Sequence, residues 1–150
     1  MPRRVVLVTG AASGIGAATC RAMAAPGVAL LVHTRRNRAG AERVADMARA
    51  AGADAAVGLG DLAEPAVADA LVRQASATFG GLNVLVSNAG FADRTPFADL
   101  TDTAMTASME TIHGGFFRLA RAAIPHRHNR VRGVVRSEGG AGGPGARARD

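Results

Sequence analysis

Residues 5–16 read VVLVTGAASGIG, and the fold is decided there. Val5–Val8 is a continuous apolar run rich in β-branched side chains, as expected of a strand buried on both faces. Glycines follow at positions 10, 14 and 16, and a helical period begins at Gly14. Strand, glycine turn and helix in that order suit a phosphate. Gly10 permits a tight turn off the strand, Gly14 allows the backbone to approach a pyrophosphate, and Gly16 lets the helix pack closely on the strand. The helix N-terminus adds free N–H groups and the positive end of its dipole. Taken alone, the loop also reads as a glycine-rich turn with no ligand.

Outward from this stretch, strand-like and helix-like segments alternate. The first helix places Ile15, Ala18, Thr19, Ala22 and Met23 on one face and ends at Pro26-Gly27. Val28–Val32 reads as a second buried strand, followed by a helix with Val44, Met47, Ala48 and Ala51 that stops at Gly52. Ala55–Leu59 is a weaker third strand. A helix start at Asp61, Glu64 and Pro65 leads into Val67, Ala70, Leu71 and Ala75, closed by Gly80-Gly81. Leu82–Val86 is a fourth strand, running into Ser87-Asn88-Ala89-Gly90. The longest helix is expected from about Thr101 to Ile124, with an apolar stripe of Met105, Met109, Ile112, Phe116, Leu119, Ala120 and Ala123. Successive βαβ units imply an α/β fold, a doubly wound parallel sheet of Rossmann-like type with about four to five strands. Ligands of such sheets sit outside the carboxyl ends of the strands, where both the glycine loop and Asn88-Ala89-Gly90 fall.

After Pro125 the character changes. Residues 126–150 contain no Leu, Ile, Phe or Met, and only Val131, Val134 and Val135 could form a short strand. The rest cannot bury enough apolar area to offset its ordering entropy. The expected organisation is a dinucleotide-binding, Rossmann-like domain over 1–125 and an irregular Gly/Arg-rich tail over 126–150. Six of the eighteen arginines lie in that tail against only Glu138 and Asp150, so most of the net charge of +6 belongs to it. With no aromatic side chains interleaved for base stacking, this pattern argues against nucleic acid.

No apolar stretch approaches the ~20 residues that span a bilayer, and the run before Thr9 is too short for a signal-peptide core of roughly 7–15. A cytoplasmic protein without membrane attachment is expected. Cys20 is the only cysteine, so no internal disulfide can form, and it reads as a small buried hydrophobe. His126 and His128 lack the Cys or carboxylate neighbours that would complete a metal site, so no metal is expected. Two absences weigh more. The 150 residues contain no tyrosine, and all 18 Lys+Arg positions are arginine.

The spacing GxxxGxG, with Asp61-Leu62 after the third strand and Asn88-Ala89-Gly90 after the fourth, resembles the short-chain dehydrogenase/reductase family. The resemblance covers residues 5 to about 125. It implies an NAD(P)-dependent oxidoreductase whose small-molecule substrate is a carbonyl or alcohol. Gly10, Ser13, Gly14, Ile15 and Gly16 match the family's pyrophosphate loop. Asp61 and Leu62 match the pair that contacts adenine, and Asn88, Ala89 and Gly90 match the motif that steadies the sheet and lines the riboses. At the end of the second strand, Thr34 occupies the position where an acidic residue would accept hydrogen bonds from a ribose 2′-OH. Arg35 follows and would offer a guanidinium to a 2′-phosphate, favouring NADP, with NAD open and a merely solvated Arg35-Arg36 as the plain alternative.

The departures from the family begin in the long helix. Aligned on Gly114-Gly115-Phe116-Phe117, the family's catalytic-site asparagine falls on Thr111 or Ile112, neither of which carries an amide. Ser137 is the only candidate for the catalytic serine. It stands two or three residues early, between the unusual flanks Arg136 and Glu138. The tyrosine that exchanges a proton with the substrate and the lysine that lowers its pKa are absent. The expectation is a truncated cofactor-binding half that is inactive alone. The alternatives are a dinucleotide- or partner-binding module, or a frameshift product whose reading frame changes between roughly codons 125 and 137, where the apolar period ends. An uncovered apolar strand edge would make the chain a homo-oligomer or aggregation-prone.

Overall fold

The computed structural model describes residues 3–91 and 93–126, except for the side chain of residue 126. Four strands, β1 (Arg4–Val8), β2 (Val28–Thr34), β3 (Asp54–Leu59) and β4 (Val84–Val86), form one parallel sheet in the order β3-β2-β1-β4. The register runs Val6 against Leu30 and Val84, and Leu7 against Leu31 and Leu85. Helices α1 (Gly14–Met23), α2 (Arg38–Ala50) and α3 (Pro65–Phe79) connect the strands, and α4 (Asp102–Met109) and α5 (Gly115–Ala123) follow β4.

The strand period of two sorts the core into two layers. Val6, Val8, Leu30 and Val32 pack with Ala17 and Cys20 of α1 and Ala41, Ala45 and Ala48 of α2. Val5, Leu7, Ala29 and Leu31 pack on the other side with Ala68, Leu71, Val72 and Ala75 of α3 and Leu119 of α5. Both faces of β1 and β2 are therefore covered, which is why those strands read as unbroken apolar runs. Local chemistry sets the helix ends. Asn37 caps α2 by accepting from the Gly40 amide at 2.9 Å, Pro65 opens α3, and Gly80 closes it in the left-handed region (φ 90°).

Three expectations need correction. The inward face of α1 is Gly16, Ala17 and Cys20, whereas Ile15 is 77% exposed and Ala18 and Ala22 face outward. Helix and strand meet there through the smallest side chains, so ranking positions by hydrophobicity selects the wrong phase. The long helix does cover nearly the expected range, but a π-helical turn at Glu110–Gly114 interrupts it. Of its expected stripe only Leu119 is fully buried. Met105, Met109, Ile112 and Phe116 are exposed among the described residues. Strand β4 is also shorter than expected, because Asn83 pairs with β1 from outside it: its side-chain carbonyl accepts from the Val5 amide at 2.7 Å and its amide donates to the Val5 carbonyl at 2.9 Å. The possible strand at Val131, Val134 and Val135 lies outside the described residues.

Candidate functional site

The strand order reverses between β1 and β4, and a cleft of about 410 Å³ opens at their carboxyl ends. Every strand end contributes to it. Gly10, Ala12 and Ser13 come from the loop after β1, and His33, Thr34, Arg35 and Asn37 from the end of β2 and the turn beyond. Gly60, Asp61 and Leu62 follow β3, and Ala89, Gly90 and Phe91 follow β4. Thr111, on the π-helical turn, completes the lining.

Three glycines shape the loop after β1 for different reasons. Gly10 has φ 63°, and a Cβ there would come within 2.9 Å of the Ala89 Cα. Gly14 has φ 55° with no other atom within 4 Å of the position a Cβ would take. At Gly16 a Cβ would overlap the Gly10 carbonyl oxygen and stand 2.7 Å from Asn88 Nδ2. Only glycine reconciles the turn, the open approach and the close packing. Ser13 sits at the N-cap of α1 but its side chain makes no capping hydrogen bond, so the first-turn amides of this helix still need acceptors. Amides without acceptors beside open space make a cradle for an anion.

Asn88 and Thr9 lock this loop to the end of β4. The Thr9 hydroxyl oxygen accepts from the amides of Asn88 and Ala89, each at 2.9 Å. Asn88 Nδ2 donates to the carbonyls of Thr9 at 3.1 Å and Gly10 at 3.2 Å. Asn88 thus braces the cleft from behind, while Ala89 and Gly90 line it.

The far end of the cleft is ionic. Arg35 lies 3.6 Å from the Asp61 carboxylate, a loose pair in which the arginine side chain is 55% exposed. Asp61 also accepts from the Ala63 amide at 3.0 Å, which shapes the turn after β3. Beneath this pair, His33 is buried, with Nε2 2.9 Å from the Gly60 carbonyl. A carbonyl can only accept, so Nε2 carries the hydrogen and Nδ1 holds the lone pair. Burial pushes the His33 pKa below 6.5, against smaller opposing effects of the Gly60 carbonyl and the Asp61 charge. Cys20, on the buried face of α1, has its thiol pushed up to about 11 by burial and is an inert core residue.

The cleft brings together Gly10, Ser13, Thr34, Arg35, Asp61, Leu62, Ala89 and Gly90 from the expected site. Gly14, Ile15 and Gly16 stand beside it at the start of α1. Ser137 lies outside the described residues, as does His128. Sequence reasoning missed Thr9, His33, Asn37 and Gly60. Asn37 alone carried a local signal, a helix-capping residue three positions before Gly40. Among the described residues, no group of three or more His, Cys, Asp or Glu could hold a metal, and no helix is long and apolar enough to cross a membrane.

A glycine cradle at a helix N-terminus, placed where a parallel sheet reverses its strand order, has close counterparts among known proteins. The family model for short chain dehydrogenases matches residues 4–138. This chain belongs to the short-chain dehydrogenase family. A hexahydroindene-carboxyl-CoA reductase of Mycobacterium tuberculosis is 34% identical over 140 residues, which span 88% of this chain and 51% of that protein. Cis-4-hydroxycyclohexanecarboxylate dehydrogenase of Sinomonas cyclohexanicum is 39% identical over 124 residues, spanning 82% of this chain and 49% of the relative. Among solved structures, a short chain dehydrogenase from Mycobacterium avium superposes with TM-score 0.75 at 33% identity, covering 82% of this chain and 47% of the other. An NADP-bound structure from Burkholderia cenocepacia, assigned as a dehydrogenase, gives TM-score 0.77 at 27% identity, covering 83% of this chain and 48% of the other. The chain therefore spans about half the length of the short-chain dehydrogenases it matches.

Proposed function

We propose that this chain is the dinucleotide-binding half of an NAD(P)-dependent short-chain oxidoreductase for a carbonyl or alcohol, that it prefers NADP, and that its 150 residues bind cofactor without transferring hydride. One observation carries the binding reading: the first turn of α1 faces open space across Gly14, in a cleft to which all four strand ends contribute. Gly14, Ile15 and Gly16 would hold the pyrophosphate by their amides, Asp61 and Leu62 the adenine, and Asn88, Ala89 and Gly90 the ribose side. Preference for NADP rests on Thr34, which offers no carboxylate to a 2′-OH, and on the half-exposed Arg35 beside it. An exposed ion pair contributes only about 0–1 kcal/mol, so Arg35 can leave Asp61 for a phosphate at little cost.

The bound nicotinamide would supply the hydride chemistry. Proton exchange with a substrate oxygen needs a positioned acid–base group, and the family's tyrosine and lysine have no counterpart in these 150 residues. Ser137 alone would not replace them. Self-association is part of the same proposal, because β4 forms one edge of the sheet among the described residues, and Met105, Met109, Phe116 and Phe117 are exposed on the helices that follow it. The test is calorimetric titration of the folded chain with NADPH and NADH, followed by a hydride-transfer assay over a panel of ketones and alcohols. Tighter binding of NADPH with no turnover above background is expected. A folded chain that binds neither nucleotide, or turnover that survives Ser137→Ala, overturns the proposal.

A further inference from the structure

Arg118 is a charged residue on α5 whose side chain is only 15% exposed. A guanidinium withdrawn this far from water is costly unless its N–H groups find acceptors, and here most of them do. Nη1 donates to Glu110 Oε2 at 3.0 Å, and Nη2 lies 2.9 Å from the Leu62 carbonyl, 3.1 Å from the Glu110 carbonyl and 3.4 Å from the Ala63 carbonyl. Its Nε is buried with no partner among the described residues. The π-helical turn makes this arrangement possible. Glu110 accepts from the Gly115 amide, five residues on, and its carbonyl also meets Arg118.

The two adjacent glycines provide the room. A Cβ at Gly114 would stand 2.8 Å from Glu110 Oε2 and 3.0 Å from Arg118 Nη2, and one at Gly115 would stand 3.0 Å from the Leu62 Cβ. Each glycine inside a helix costs about 1 kcal/mol relative to alanine, so a pair of them indicates that close approach matters at this point. What approaches is the loop after β3. Its other side is held at the end of β2, where His33 Nε2 donates to the Gly60 carbonyl and the Gly60 amide donates to the Thr34 carbonyl at 3.3 Å. The backbone from Gly60 to Ala63 is thus gripped from both flanks, with Gly60, Asp61 and Leu62 facing the cleft between.

We propose that Arg118 is a positioning residue for nucleotide binding: by tying the Leu62 and Ala63 carbonyls to the π-helical turn, it sets the loop against which the adenosine end of the ligand packs. Arg118 does not line the cleft and acts only through that loop. The inference rests on the dinucleotide reading of the cleft. It goes beyond that reading in separating the two halves of the site, since the hydrogen bonds of Arg118 go to Glu110, Leu62 and Ala63 and not to the glycine cradle after β1.

The probes are therefore adenosine monophosphate for the loop and inorganic pyrophosphate for the cradle, with NADPH for the whole site. Arg118→Met keeps the apolar stem and removes every donor. It is expected to weaken adenosine monophosphate and NADPH about tenfold while pyrophosphate stays within about twofold, as the loss of a charge-assisted contact would give. Arg118→Lys, which can still reach one carbonyl, should recover part of the loss. If Arg118→Met fails to show cooperative unfolding, Glu110→Gln carries the test. It should weaken adenosine monophosphate by about threefold and speed hydrogen exchange at the Ala63 amide, the one that bonds Asp61. Unchanged adenosine monophosphate affinity in a folded variant, or equal losses for both probes, overturns the role of Arg118 alone. Failure of the wild-type chain to bind any of the three overturns the dinucleotide reading and this inference with it.

Discussion

Gly16→Ala adds one methyl group at the tightest point of the fold. Its Cβ would overlap the Gly10 carbonyl oxygen and stand 2.7 Å from Asn88 Nδ2 and 2.9 Å from the Ala11 Cα. Two of these three neighbours are backbone, so no side-chain rotation relieves the clash and α1 must move away from β1. Overpacking of this kind costs about 1–3 kcal/mol. Displacement also strains the Asn88 bonds to the Thr9 and Gly10 carbonyls, worth about 1 kcal/mol each. Alanine's helix propensity offsets at most about 1 kcal/mol, and less in the first turn of a helix. The net expectation is a loss of roughly 2–4 kcal/mol, or a fall in Tm of about 5–15 °C for a chain of this size. Gly14→Ala is the control. It has a positive φ but no crowding, so it should cost only the left-handed strain of about 1–2 kcal/mol. Urea unfolding followed by circular dichroism reads both variants. A Gly16→Ala midpoint within about 0.5 kcal/mol of wild type, or a larger loss at Gly14, would refute the packing argument.

Arg35→Ala should weaken NADPH by about 10–100-fold and leave NADH little changed, measured by calorimetry. Equal losses for both would show that Arg35 meets no 2′-phosphate. His33 makes stability depend on pH. Its folded pKa lies below 6.5, so its contribution is fully present above 6.5 and is lost as pH falls toward the folded value. Urea midpoints taken down from about pH 7.5 to 5 should therefore decrease, and His33→Gln, which can still donate to the Gly60 carbonyl, should flatten that part of the slope. Identical slopes would mean that another group sets the acid limit. Phe116→Glu should reduce concentration-dependent association in sedimentation velocity, whereas a sharp monomer for wild type across the concentration range would remove the basis for self-association.

The glycine spacing and the alternation of strands with helices were legible because both are local. Val5–Val8 and Val28–Val32 announce themselves by composition, and TGAASGIG by the close approach it permits. The structure places eight of the twelve expected cofactor-binding residues on the cleft lining itself. What stayed hidden depends on partners far away in sequence. Thr9 matters through Asn88 and Ala89, and His33 through Gly60. Neither residue type advertises its partner. Arg118 was hidden for a different reason: an arginine on an amphipathic helix reads as solvated, and only the carbonyls of Leu62 and Ala63 reveal otherwise.

The long helix shows most clearly how far periodicity can carry an inference. A period of 3.6 reports that apolar positions recur at helical spacing, as Met105, Met109, Ile112 and Phe116 do in the sequence, but the π-helical turn at Glu110–Gly114 breaks that phase. It does not report what the stripe meets. The contact α5 makes with the core runs through Leu119, fully buried, and through Gly115, which nearly touches Leu62. Of the expected stripe Leu119 is the one fully buried side chain, while Met105, Met109, Ile112 and Phe116 stay exposed among the described residues. The same helix therefore has two unlike faces. One is fitted to the loop after β3 by two glycines and a buried arginine, and the other presents methionine and aromatic side chains that are exposed among the described residues.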